Sequence, residues 1–207
     1  NAAAGRESGS AYLVELSHEA GALVARAYAR QQDADFGLGQ QASSEAGTRK
    51  LGADARINLS DSIQTQAEAY RQQNQINNAQ RDVAEARVQR SSEGLTTQAG
   101  LRTAQESDGK GKEASVRQII GGVGYELLDK RLTLRAGTEL DVDSQSDSDS
   151  VAFPNRLIVG ADYKLTPLTT LFVQHELARS AALKADTTRA GPVSYTHLRA
   201  HETKANL

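Results

Sequence analysis

The chain contains no cysteine, methionine or tryptophan, and only three prolines and three phenylalanines. Without cysteine, disulfides, thiolate metal sites and cysteine nucleophiles are excluded. An excess of charge of either sign is also missing. The 24 basic and 26 acidic residues give a formal charge of −2, so there is no broad basic surface for nucleic acid or for an acidic lipid patch. No apolar run reaches the roughly 18 residues of a membrane-spanning helix, which says nothing against membrane strands of roughly 9 to 11 alternating residues. Large apolar residues are sparse and the mean hydropathy is −0.54, too little to fill a large soluble core. The chain starts at Asn1 without Met or a signal sequence, and residues 1–9 are expected to be a fragment leader.

The clearest pattern runs from Arg156 to Leu177. Leu157, Val159, Ala161, Tyr163 and Leu165 alternate with Gly160, Asp162 and Lys164, the period of a strand with one apolar side. Thr166-Pro167-Leu168-Thr169 turns the chain, because proline fixes φ and removes a ladder donor. Leu171, Val173 and Leu177 then oppose Gln174 and Glu176. A second hairpin, Leu51–Tyr70, repeats it by position. Gly52-Ala53-Asp54 matches Gly160-Ala161-Asp162, Arg56 matches Lys164, Ile57 matches Leu165, Gln66 matches Gln174 and Glu68 matches Glu176.

Three further hairpins follow the same rule. Tyr12, Val14 and Leu16 alternate before a turn at His18–Gly21; Ala84, Ala86 and Val88 lead to a turn at Ser91–Gly94 and a return through Leu95, Ala99 and Leu101. Ile119, Val123, Tyr125 and Leu127 lead to Asp129-Lys130-Arg131, with Leu132, Leu134, Ala136 and Leu140 beyond. Helix competes in the 62–91 region, where Gln, Ala, Glu and Arg dominate and Ile76, Ala79, Val83 and Ala86 step like a heptad seam. The Asn74, Asn77 and Asn78 cluster argues for a loop there.

The chain is therefore expected to be all-β: an antiparallel up-and-down meander of about ten strands over residues 10–191, of outer-membrane β-barrel type and incomplete. Short turns near residues 18, 61, 92, 129 and 167 alternate with longer polar loops, as barrels alternate periplasmic turns with external loops. Asp54, Arg56, Glu68, Glu126, Arg135, Glu139, Asp162, Lys164 and Glu176 are the expected lumen-facing charges. Leu132, Leu134, Leu157, Val159, Leu171 and Val173 are the expected lipid-facing residues, with Tyr125 and Tyr163 in an interface girdle. No enzyme, cofactor or metal chemistry is expected. His175-Glu176 and His18-Glu19 point to opposite faces of their strands, and the Ser/Asp-rich stretch 141–155 lacks the ligand spacing, Gly bend and terminal Glu of an EF-hand.

GVGYELLDKRLTLRAGTEL and GADYKLTPLTTLFVQHEL resemble strand pairs from barrel domains of large proteobacterial outer-membrane and surface proteins, over roughly residues 10–191. The resemblance implies a Gram-negative outer membrane, contact with its lipid, insertion by the barrel-assembly machinery and attachment to the rest of a longer chain. The function it implies is that of a membrane anchor, pore or translocation domain of a larger surface protein. A soluble β-rich adhesin or fibre segment and a helical interaction module at 62–91 are the alternatives. The end of the chain, Val193–Leu207, resembles one translated frame of a transposon-type sequencing adaptor, so residues 192–207 are expected to be a non-native tail. The His197/His201 spacing within it is accordingly not expected to be a metal site.

Overall fold

A computed structural model of the chain describes residues 9–36, 46–142, 150, 152–181 and 183–194. They form eleven antiparallel strands in one sheet, each paired with its neighbours in sequence. The strands are β1 (Ala11–Ala20), β2 (Leu23–Gln32), β3 (Thr48–Ser60), β4 (Ile63–Asn74), β5 (Gln80–Ser92), β6 (Leu95–Ser107), β7 (Glu113–Leu127), β8 (Leu132–Asp141), β9 (Asn155–Thr166), β10 (Thr169–Arg179) and β11 (Lys184–Ser194). The sheet is open: β1 and β11 each have a single neighbour.

Several expectations change in detail. There are eleven strands where about ten were expected. The 62–91 region is β4, a turn and β5, not a helix; its alanines lie on one side of paired strands, where the alternation of Ala84, Ala86 and Val88 outweighs helix propensity. The first turn is at Gly21 and Ala22, so His18 and Glu19 stay in β1. Gly21 supplies the positive φ that a two-residue hairpin turn requires, 54°. At the β5–β6 turn Glu93 and Gly94 both have positive φ, 50° and 80°, the type I′ pattern whose twist suits a hairpin.

The sequence repeat is not a repeat of pairing. Asp54 on β3 lies opposite Glu68 on β4, whereas Asp162 on β9 lies opposite Phe172 and Glu176 lies opposite Ile158. The β9–β10 turn falls at Pro167 and Leu168, two residues earlier than the repeat would place it. Side chains keep their faces because the shift is even.

Burial is inverted relative to a water-soluble domain. Among the described residues five apolar side chains are buried, Val83, Ala104, Val116, Ile120 and Ala178, against twenty-six exposed large apolar ones. Those on Leu51, Leu101, Ile119, Leu134, Leu157, Val159, Leu171 and Val173 share one face by register. No second sheet covers them among the described residues, so this face has no sheet-on-sheet core there of the kind a soluble β-rich segment would use. The small buried cluster of Val83, Ala104 and Val116, with Tyr70 and Phe153 against it, lies instead on the polar face.

Candidate functional site: the polar face of the sheet

Following the register from strand to strand, one face carries most of the charge. Asp54 and Arg56 on β3 align with Glu68 and Gln66 on β4, and these with Glu85 and Arg87 on β5. Glu85 is opposite Arg102 on β6, which is opposite Gln118 on β7. Ile120 on β7 is opposite Glu139 on β8, which is opposite Arg156 on β9. Glu126, Arg135, Asp162, Lys164 and Glu176 fall on this same face. Leu132, Leu134, Leu157, Val159, Leu171, Val173, Tyr125 and Tyr163 fall on the other.

The centre of the polar face is a network of three arginines and three glutamates. Arg102 donates through Nε to Glu85 at 2.7 Å, and through Nη1 and Nη2 to Glu139 at 3.0 and 3.2 Å. Only 10% of its side chain is exposed. Arg87 ion-pairs with Glu85 and reaches Glu139 at 3.9 Å. Arg156 stands 4.0 Å from Glu139 and 3.6 Å from Glu176. The charges cancel, and each guanidinium meets carboxylates, which is the condition for keeping charges under a nearly closed surface.

Arg87 and Glu139 are on β5 and β8, about 14 Å apart in a flat sheet at the usual strand spacing. Side chains standing perpendicular to a flat sheet would not meet over that span, so the sheet curls toward its polar side. Gly100 makes room: a Cβ there would lie 2.8 Å from Arg87 Cγ and 2.7 Å from the Ala86 carbonyl.

The segment between β8 and β9 comes back onto this face. Gln118, 1% exposed, accepts from Arg102 at 2.8 Å and donates to the carbonyls of Phe153 and Pro154 at 2.9 and 3.1 Å. Arg81 and Arg102 lie 5.5 and 5.3 Å from the Phe153 ring. Ser150 donates to Glu106 and accepts from the Phe153 N–H at 3.1 Å. The segment thus narrows the space above β5–β7. Cavities of about 590 Å³ over β1–β4 and about 420 Å³ over β5–β9 flank it.

The expected charged residues share a face, but only some meet. Glu139 and Glu176 join the network. Asp54 pairs with Arg26 at 2.7 Å and Arg135 with Asp162 at 2.7 Å. Arg56, Glu68, Glu126 and Lys164 lie on the same face outside the network. Its central residues, Arg102, Glu85, Arg87, Arg156 and Gln118, are not singled out by the sequence. Their alternation marks the face, but nothing local marks which charges converge. Phe153, inside a stretch that reads only as a solvated loop, carries no signal at all.

The apolar face also carries some polar side chains. Arg71 pairs with Asp82 at 2.7 Å, and Arg131 lies 5.7 Å from the Tyr163 ring. His175 shares a 2.8 Å hydrogen bond with Thr188, while Glu176 points to the opposite face. No group of three or more His, Cys, Asp or Glu capable of holding a metal occurs among the described residues. His197 and His201, and Asp143 to Asp149 of the Ser/Asp-rich stretch, lie outside them. Of the expected tail, Pro192, Val193 and Ser194 are paired in β11, where a proline is tolerated on an edge strand, and residues 195–207 lie outside the described residues.

No protein-family model matches the chain, and no curated protein matches it. Solved structures do. An anion-selective porin from Comamonas acidovorans superposes with a TM-score of 0.62 at 13% identity, over 88% of this chain and 54% of the porin. A triple mutant of the Rh. blastica porin gives 0.55 at 15% identity, with the same shares. The NanC porin gives 0.52 at 12% identity over 91% of this chain and 94% of that one. The chain therefore has the porin type of fold, and it spans about half the length of the first two porins.

Proposed function

We propose that the chain is porin-like barrel wall in a bacterial outer membrane, and that its polar face lines a water-filled pore. The observation that carries this reading is the inverted burial. Large apolar residues are exposed on one face, while arginines and glutamates are paired on the other. Lipid solvates the first at no cost, whereas water would not. In this reading Leu132, Leu134, Leu157, Val159, Leu171 and Val173 meet lipid, and Tyr125 and Tyr163 stand at the interface, Tyr163 beside Arg131. Asp54, Arg56, Glu68, Glu126, Arg135, Glu139, Asp162, Lys164 and Glu176 meet the lumen.

The two-residue turns then lie on the periplasmic side and the longer connections outside. The Phe153 segment and the Arg102 network form the narrow part, where charges of both signs meet a passing ion. Outer-membrane lipid and the barrel-assembly machinery are the partners this reading calls for. A place in a larger surface protein gains no support from the comparisons.

The test is reconstitution of the folded protein in planar lipid bilayers. Discrete conductance steps are expected, with the step size changed by Phe153→Ala. A protein that inserts into lipid, by protease protection and β-type circular dichroism, yet carries no current would sink the pore reading and leave a membrane anchor.

A further inference from the structure

We propose that the free edge of β1 is an acceptor site for one added strand: an extended polypeptide segment that runs antiparallel to β1, is apolar on the side of Val14 and Leu16, and carries a basic residue beside Glu19. The inference goes beyond the pore reading and rests on it only for the lipid around the edge. Pairing with β2 fixes which backbone groups of β1 are left over. The Asp33 N–H donates to the Ser10 carbonyl at 2.9 Å, and the first turn closes between Ala20 and Leu23. Since hydrogen-bonded and non-hydrogen-bonded pairs alternate along an antiparallel ladder, the even-numbered residues of β1 turn their N–H and C=O groups toward β2. On β2 the other set serves β3, where the Asn58 N–H donates to the Ala22 carbonyl at 3.0 Å. The groups of Ala11, Leu13, Glu15, Ser17 and Glu19 therefore point away from the sheet.

Soluble proteins blunt such an edge with proline, lysine or a bulge. β1 has none of these: it is ten exposed residues in unbroken register. Lipid tolerates an open edge even less, because unpaired backbone groups find no water there. The edge of β11 is blunted. Ser180 and Leu183 bond each other at 2.8 and 3.3 Å, which by the same alternation puts the backbone of Pro192 on the free side, where it brings no donor. Nor can the two edges satisfy each other in an antiparallel pair, since eleven strands paired in sequence leave β1 and β11 running the same way. A second copy in the same membrane orientation presents edges of that direction too, so the partner is a different segment. Its chemistry follows from the pleat. Val14 and Leu16 fall on the apolar face, and Glu19 on the polar face opposite Val24. Glu15 stands 3.7 Å from Arg26, whereas Glu19 has no ion-pair or hydrogen-bond partner among the described residues.

Hydrogen exchange followed by NMR on the whole chain in detergent tests this, with a synthetic peptide of about ten residues as the added strand. The peptide alternates valine with threonine and has lysine in place of its first threonine. Without it, the amides of Leu13, Glu15, Ser17 and Glu19 are expected to exchange fast and those of Val14, Leu16 and His18 slowly. Saturating peptide slows the first set by roughly tenfold or more. A nitroxide on its N-terminus broadens the Glu19 signal and one on its C-terminus broadens that of Ala11, as antiparallel pairing requires. Glutamate in place of the lysine weakens binding by about two- to fivefold, and Glu19→Gln removes that difference. Protection of the first set without peptide, protection that rises with protein concentration as a second copy would give, the reversed label pattern, or no response to peptide overturns the acceptor site. Current without protection by peptide would refute the acceptor site alone, and protection without current would refute the pore alone.

Discussion

Arg87 on β5 lies across Gly100 on β6, where a Cβ would come within 2.8 Å of its Cγ, and so reaches Glu139 on β8. A glycine in a strand interior ordinarily weakens it; here it gives an arginine the space to tie non-adjacent strands together. Gly100→Val is expected to displace Arg87 and cost about 1–3 kcal/mol, the usual range for overpacking a filled site, measured by urea unfolding in lipid or detergent. Wild-type stability in the variant would show that the arginine does not depend on the glycine.

Arg102 is the central cation of the network, touching Glu85, Glu139 and Gln118. Removing it takes a guanidinium from Glu85 and Glu139, which keep Arg87 and Arg156 as partners, and takes the donor from the Gln118 oxygen. Arg102→Ala is expected to destabilise the fold by about 1–3 kcal/mol, the usual cost of leaving a buried polar group without its partner. Arg102→Lys keeps the charge but not the fork that serves three partners, so it should recover part of the loss. Equal stability of all three proteins in the same unfolding assay would remove the network from the account of the fold.

Val159 and Leu134 share the apolar face. An arginine at either position is expected to cost about 2–4 kcal/mol if it falls at the bilayer midplane. Tolerance of both substitutions in lipid vesicles would reverse the assignment of faces.

Between β6 and β7, the Asp108 carboxylate accepts from the backbone N–H of Lys110 at 2.7 Å and of Lys112 at 3.1 Å. These bonds favour the charged form and hold its pKa below the ordinary carboxylate value. For a depressed pKa, the stabilisation is complete above the unfolded-state value and disappears as pH falls through the folded-state value. The turn should therefore stay ordered at mildly acidic pH and loosen only in stronger acid, and Asp108→Asn should remove that dependence. An NMR titration of Asp108 with a midpoint at or above the ordinary value, about 3.9, would contradict the assignment.

The strand β11 pairs with β10 through Ser194. Deleting residues 195–207 is expected to change stability by less than about 1 kcal/mol, the scale that separates a contributing segment from a neutral one. A larger loss would show that the adaptor-like tail belongs to the fold.

Alternation alone settles which residues share a face, because a strand turns every second side chain to the same side whatever it packs against. That is why the spacing puts Leu157 and Val159 on one face and Asp162 and Lys164 on the other, as the register does, and why β4 and β5 are preferred to a helix. Pairing register is less accessible. The resemblance between Leu51–Tyr70 and the 159–178 stretch suggests equal hairpins, but Pro167 moves one turn by two residues and changes every cross-strand partner.

Convergence lies beyond the sequence altogether. Gln118 and Phe153 are 35 residues apart, and Arg102 and Glu139 are 37 apart. Their contacts exist only because intervening strands pair, the sheet curls toward its polar side and Gly100 leaves a gap. Local periodicity determined the apolar and charged faces of this protein. Only the curvature of the sheet decided which charges meet and where a loop segment packs between them.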